Sequence, residues 1–251
     1  RRELVDELHA ALEGKYPEVA LKHDASRLVQ AVIKFGSEAQ VLTLLAEFTV
    51  DKALFVELCR SPYAHYAVLK LLEHAPRSKE VAKKVAQALQ GNVVKLATHG
   101  VAARIIELAL ANLKGPQQAA LRLEFYGREF SVFVADVQRD LEANAKQAQA
   151  DKLQKMEDEE EEEGGGSGGG KKKGAKGKAK KLPPVSTRPT LGAVLAVRPA
   201  RREAILGAVS ATVSKLVLKG LLAFQFAHEL IAEFLEEAGN AGGGAAAGGA
   251  A

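Results

Sequence analysis

Val41, Leu44, Leu45 and Phe48 stand at i, i+3, i+4 and i+7, which gathers four apolar side chains on one helical face that must be buried against another helix. The helix that carries them is bounded by its own signals. Ser37 and Gln40 have capping-box spacing, so each side chain can satisfy an orphan amide of the first turn. Gly36, just before, is placed to stop the preceding helix. Similar punctuation recurs at Ser61-Pro62, Pro76, Gly91, Gly115-Pro116 and Gly127, which predicts helices of roughly 10–15 residues joined by short loops. No stretch keeps the alternation of a strand.

The second half is less regular. A polar helix is predicted from Phe130 to about Met156, and order is predicted to end at the acidic run Glu157 to Glu163. Gly164 to Gly170 is a Gly/Ser linker, and Lys171 to Lys181 is dominated by lysine. That stretch holds too few apolar residues to bury and reads as a solvated loop or tail. Helical pattern resumes near Thr190. Pro199 suits the first turn of a helix reaching about Lys219, Gly220 breaks it, and Phe226, Leu230, Ile231 and Phe234 mark the face of a last helix. The expected organisation is therefore helical repeats over 1–133, a polar helix and disordered insertion over 134–188, a helical segment over 189–238, and a disordered Gly/Ala tail over 239–251.

Three segments of the first half align with one another: Lys22 to Gln30, Pro62 to Leu69, and Thr98 to Glu107. Ser26, His65 and Ala103 are equivalent positions in this alignment. Their period exceeds that of tetratricopeptide and ankyrin repeats and overlaps the HEAT and armadillo range, so spacing alone leaves the repeat type open.

Composition narrows the function more by exclusion than by assertion. The formal net charge of +4 permits a nucleic-acid partner without demanding one, because binding needs a local stripe of cations. A single cysteine, Cys59, excludes an internal disulfide framework and a cysteine-rich zinc site and fits a reducing compartment; it reads as a buried thiol among Phe55, Val56 and Leu58. The six histidines are dispersed, so no metal or cofactor is expected. No run is long and apolar enough for a membrane span. The chain opens on Arg1 and reads as a fragment. His23, Asp24 and Ser26 hold the residue types of a hydrolase triad, but they are crowded within four positions where one backbone forbids the linear relay, and no enzyme is expected. Asp24 reads as a helix N-cap.

Ser26-Arg27-x-x-Gln30 resembles the base-reading set of a Pumilio (PUF) repeat, with His65, Tyr66 and Leu69, then Ala103, Arg104 and Glu107, at matching places. The wider chain is similar to the Puf-A branch in Lys22-His23-Asp24, Tyr126-Gly127 with Phe130, Leu195-Ala196-Val197-Arg198-Pro199, and Phe226 to Phe234, which together cover residues 1–133 and 189–236. The resemblance implies an all-α, right-handed α-solenoid, of which this chain would carry the later repeats. It further implies nucleolar or nuclear proteins that bind RNA, and also DNA, with little sequence preference and assist rRNA processing and large-subunit assembly beside pre-ribosomal proteins.

The residues themselves support a stacking role for three side chains. Arg27, Tyr66 and Arg104 each follow an equivalent helical position, and a guanidinium or phenol ring can stack on any unpaired base. Ser26 and Gln30, one helical turn apart, can hydrogen-bond a base edge; His65 and Glu107 hold the corresponding places in the next two repeats. Lys171, Lys172 and Lys173 open a tract that can neutralise phosphates, serve as a nuclear address, or pair with the acidic run. The expected partner is single-stranded RNA, in particular rRNA. The rival reading is a HEAT- or armadillo-like scaffold that holds a protein.

Overall fold

The computed structural model describes residues 2–131, 134–163 and 189–242, and all regular structure among them is helical. Helix α1 (Arg2–Leu12) precedes three units of three helices each. The first unit is α2 (Tyr16–Ala20), α3 (Ser26–Phe35) and α4 (Glu38–Phe48). The second is α5 (Lys52–Arg60), α6 (His65–His74) and α7 (Lys79–Leu89), and the third is α8 (Val93–Ala97), α9 (Ala103–Asn112) and α10 (Pro116–Leu123), the last extended by a 3-10 turn at Glu124–Tyr126. Beyond these lie α11 (Val134–Glu163), α12 (Leu191–Val197), α13 (Arg202–Leu218) and α14 (Gln225–Gly242).

Like packs on like. The second helices form a row in which α3 packs on α6, α6 on α9, and α9 on α14. The third helices form another, α4 on α7 and α7 on α10, and α5 packs on α8 among the first helices. The turn at Glu124–Tyr126 rests on α13, which pairs with α14, so α13 and α14 act as the first and second helices of a fourth unit. Everything from Gly127 to Arg201 is inserted between the third and fourth units. The chain is thus an α-solenoid whose core runs from unit to unit, since no single unit can bury both faces of its helices.

Local chemistry explains each unit. The apolar face read from Val41, Leu44, Leu45 and Phe48 is completely buried, each side chain contributing about 1.5–3 kcal/mol. The Ser37 capping box is present in full: Ser37 Oγ accepts the Gln40 amide at 3.3 Å and Gln40 Oε1 accepts the Ser37 amide at 2.8 Å. Cys59 is buried, and burial pushes its thiol well above the ordinary value.

Several expectations change. Gly36 ends α3, but in extended rather than left-handed backbone; a Cβ there would lie 2.5 Å from the Val32 carbonyl oxygen, so it is close approach that requires glycine. Asp24 does not cap α3, because the chain enters that helix already in a helical turn and leaves no cap position for it. Its carboxylate instead meets His23 Nδ1 at 2.7 Å in the open. The next units have their own acceptors: Ser61 Oγ takes the amides of Tyr63 and Ala64, and His99 Nδ1 those of Val101 and Ala102. Helix α11 runs through the acidic run to Glu163, where order was expected to stop, and α14 continues to Gly242. The Gly/Lys stretch 164–188 and the tail 243–251 lie outside the described residues.

Candidate nucleic-acid interface

Ser26, His65 and Ala103 are the first residues of α3, α6 and α9, and their exposures are only 3%, 8% and 0%. One residue on, a helix turns by about 100°, so the next side chain leaves the packed seam and points outward. Arg27, Tyr66 and Arg104 are all exposed for this reason. Adjacent helices pack about 8–10 Å apart, and three equivalent positions on three successive helices make a row of guanidinium, phenol and guanidinium along one face.

Tyr66 is fixed from behind. Its ring lies 3.9 Å from that of His65, tilted by 39°, while its other side reaches solvent at 49% exposure. His65 is itself locked by a 2.9 Å contact from Nδ1 to the Ser61 carbonyl. Burial lowers its pKa from the ordinary 6.5, the bond to Ser61 opposes that, and nearby Arg104 lowers it further, so the ring is neutral at about pH 7. A neutral platform holds Tyr66 without adding charge.

The remaining base-edge candidates are used differently from the sequence reading. Ser26 Oγ donates to the His23 carbonyl at 3.1 Å, not to the imidazole, so no relay forms. Gln30 is half-buried, and Leu69, at the equivalent place in α6, is buried. Glu107 accepts the amides of Gln225 and Phe226, each at 3.2 Å, and so caps α14. Ser26 Oγ, His65 Nδ1 and both Glu107 carboxylate oxygens are therefore engaged within the fold. Lys171, Lys172 and Lys173 lie outside the described residues.

Two polar devices that the sequence did not reveal hold this face in register. Glu47 accepts the amides of Gly14 and Tyr16 at 2.7 and 3.0 Å, and Glu124 those of Gly91 and Val93 at 2.7 and 3.2 Å. Gly14 and Gly91 have φ of 78° and 85°, which turns their amides toward the carboxylates. The matching Gly-to-Glu spacing is a periodic signal that could have exposed this clamp. The second device centres on buried Arg122. Its Nη1 lies 2.8 Å from Glu229, its Nη2 2.5 Å from Glu233, and its Nε donates to the Pro189 carbonyl at 2.9 Å. Tyr126 donates to Glu233 at 2.7 Å. Burial opposes the charge on Arg122, but the Glu233 and Glu229 carboxylates outweigh it and hold its proton more tightly than usual. This network fastens α12 and α14 to the third unit. Among the described residues no cluster of His, Cys, Asp or Glu could hold a metal ion, and no helix is long and apolar enough to cross a membrane.

No family model matches the chain. Over 134 residues it is 38% identical to Pumilio homology domain family member 6 of Schizosaccharomyces pombe, an alignment covering 53% of this chain and 20% of that protein. It is 30% identical over 161 residues to human Pumilio homolog 3, covering 63% of this chain and 24% of the relative. The chain thus spans between a fifth and a quarter of the length of these relatives. Its fold is similar to that of human Puf-A, with a TM-score of 0.59 at 20% identity over 94% of this chain and 36% of that one. A second structure, human Puf-A in complex with DNA, gives 0.57 at the same identity and coverage. The resemblance to Puf-A-type Pumilio proteins and the Pumilio-type solenoid expected from the sequence both hold.

Proposed function

We propose that this chain, a Pumilio-repeat array related to the Puf-A type, binds single-stranded RNA with little sequence preference through the outward row of α3, α6 and α9. The observation that carries this reading is the placement of Arg27, Tyr66 and Arg104: three groups able to stack on any base, at one register, exposed on three helices that pack in order. Base-edge reading is weak on this face, since Ser26, His65 and Glu107 are engaged within the fold and only Gln30 remains at a base-edge position. The DNA complex of human Puf-A and the Pumilio names of the relatives support a nucleic-acid ligand. In the whole protein the ligand is rRNA, the setting nucleolar, and the role pre-rRNA processing and large ribosomal subunit assembly beside pre-ribosomal proteins. Lys171, Lys172 and Lys173 add phosphate contacts from the inserted segment.

Equilibrium binding of scrambled single strands to the wild type and to an Arg27→Ala/Tyr66→Ala/Arg104→Ala variant tests the interface, with crosslinking to cellular RNA to identify the target. The variant is expected to lose affinity for every strand to a similar degree. Retention of single-strand binding by the variant would contradict the reading.

A further inference from the structure

The outer face of the fourth unit is apolar. Helix α13 buries Ile205, Val209, Thr212 and Leu216 in the core and turns Ala208, Ala211 and Lys215 toward α8. A helix turns by about 100° per residue, so Leu206, Val213 and Val217 fall on the side opposite Ala208, Ala211 and Lys215 and face away from the third unit. Helix α14 is arranged in the same way. Its Glu229 and Glu233 meet Arg122 of α10, while Ile231 and Leu235 lie on the opposite side. Both outward stripes are open: Val217 is 50% exposed and Leu235 64%, and Leu206, Val213 and Ile231 are only half-buried.

A helix with apolar side chains on opposite faces is suited to being covered on both. The last unit of a repeat array stays soluble by itself when its outer face is polar. This face is neither covered nor polar. Residues 239–251 are Gly, Ala and one Asn, so they carry no side chain large enough to cover it.

The chemistry of the face fits its own copy. Ser210 and Ala238 complete the two stripes, and none of these outward positions is charged. An acidic or basic segment finds no counter-charge there, whereas a second copy of the same face meets no like charge. The symmetry also fits. Arg202 at the start of α13 bonds Glu237 near the end of α14, so the two helices run antiparallel. A two-fold axis in the plane of the face and across both helices then lays each helix antiparallel on its counterpart, with opposed dipoles. The size is sufficient. Helices of 17 and 18 residues, at about 1.5 Å per residue and about 10 Å across, make a patch of roughly 25 by 20 Å. Side-chain relief brings its accessible surface toward the roughly 800 Å² per partner of a standard interface.

We infer that the outer face of α13 and α14 joins two copies of this chain in an isologous dimer, centred on Leu206, Val213 and Val217 of α13 and Ile231 and Leu235 of α14. Arg27, Tyr66 and Arg104 lie outside this face, and the inference is independent of the nucleic-acid reading.

Sedimentation equilibrium of the full chain across the micromolar range tests it. The wild type should show a monomer–dimer equilibrium. Val217→Glu/Leu235→Glu should weaken association by about tenfold or more, because each carboxylate would leave water without a partner. The control is Leu4→Glu/Val50→Glu, which places the same charge on apolar side chains 69% and 82% exposed outside the face. It should dimerise as the wild type does, and circular dichroism melts should show both variants folded. Leu235→Glu alone repeats the measurement if the double variant melts early. Because Cys59 is buried, spin labels can be placed by Val217→Cys or Leu4→Cys. Across the dimer the labels at 217 should lie closer together than those at 4.

A monomer at every concentration overturns the inference, as does a dimer that survives Val217→Glu/Leu235→Glu. Equal dissociation by the control overturns it in favour of general charge repulsion. Labels at 4 that lie closer than those at 217 place the junction at the opposite end and overturn it as well.

Discussion

The Glu124 carboxylate holds the Gly91 amide at 2.7 Å, joining residues 33 positions apart at the two ends of one repeat. Its other oxygen takes the Val93 amide, and Glu47 repeats the arrangement on Gly14 and Tyr16 with the same separation. These amides sit at the start of a first helix and face a carboxylate instead of water. Each clamp therefore fixes the start of a unit's first helix against the end of its third. The middle unit does without it: Asp51 caps α5 through the Leu54 amide, and Ala86 stands where the clamp carboxylate would be.

Glu124→Ala should destabilise the chain by about 1–3 kcal/mol, because it leaves the Gly91 and Val93 amides without their acceptor in a buried place. Thermal melts followed by circular dichroism should show a midpoint several degrees lower. An unchanged midpoint would mean that water replaces the carboxylate without loss.

Stability should fall as pH drops below about 6.5. His65, His74 and His99 all have folded pKa values held below that figure, burial being the first cause in each. The unfolded chain therefore binds protons that the folded one refuses, and stability rises with pH across this window and is complete above 6.5. Glu124, raised above 4.5 chiefly by burial, works in the opposite direction in the acid range, where its protonation favours the fold. His99 is the most directly exposed to this effect, since a proton on Nδ1 breaks its bonds from Val101 and Ala102. His99→Asn, whose side-chain oxygen can still accept those amides, should flatten the dependence between about pH 7.5 and pH 5.5. A variant that loses stability on acidification as steeply as wild type would assign the effect elsewhere.

Removing Arg122 should be far more damaging than removing an exposed charge. Arg122→Met leaves Glu229 and Glu233 facing each other without their cation, a loss of about 3–5 kcal/mol. Adding Glu229→Gln and Glu233→Gln should recover part of it. Urea titration gives the stability, and limited proteolysis reports whether α12 and α14 have come away from the third unit. Equal stability of the single and triple variants would show that the carboxylates are relieved by solvent.

Tyr66 separates stacking from hydrogen bonding. Base-on-aromatic stacking contributes about 1–3 kcal/mol per base, so Tyr66→Ala should weaken single strands by about fivefold or more. Tyr66→Phe, which keeps the ring over His65, should remain within about twofold of wild type. Fluorescence anisotropy with scrambled strands measures both, and equal losses in the two variants would place the contribution in the hydroxyl.

Much of this protein was legible along the chain because its causes are local. The i, i+3, i+4 pattern of α4, its capping box, and the recurrence that aligns Ser26, His65 and Ala103 involve neighbours within a turn or a repeat. The exposure of Arg27, Tyr66 and Arg104 follows from the same helical geometry. What tertiary structure decided involves partners far apart. Arg122 meets Glu229 and Glu233 across 107 and 111 residues, and Lys219 reaches Thr98 across 121. Gly36 was legible as a helix end, yet the reason for glycine is a Cβ that would strike the Val32 carbonyl. Periodicity states which face of a helix is buried, but not which distant charge arrives beside it. Stacking the units leaves Val217 and Leu235 on one open face, because α13 and α14 turn their opposite sides to the third unit.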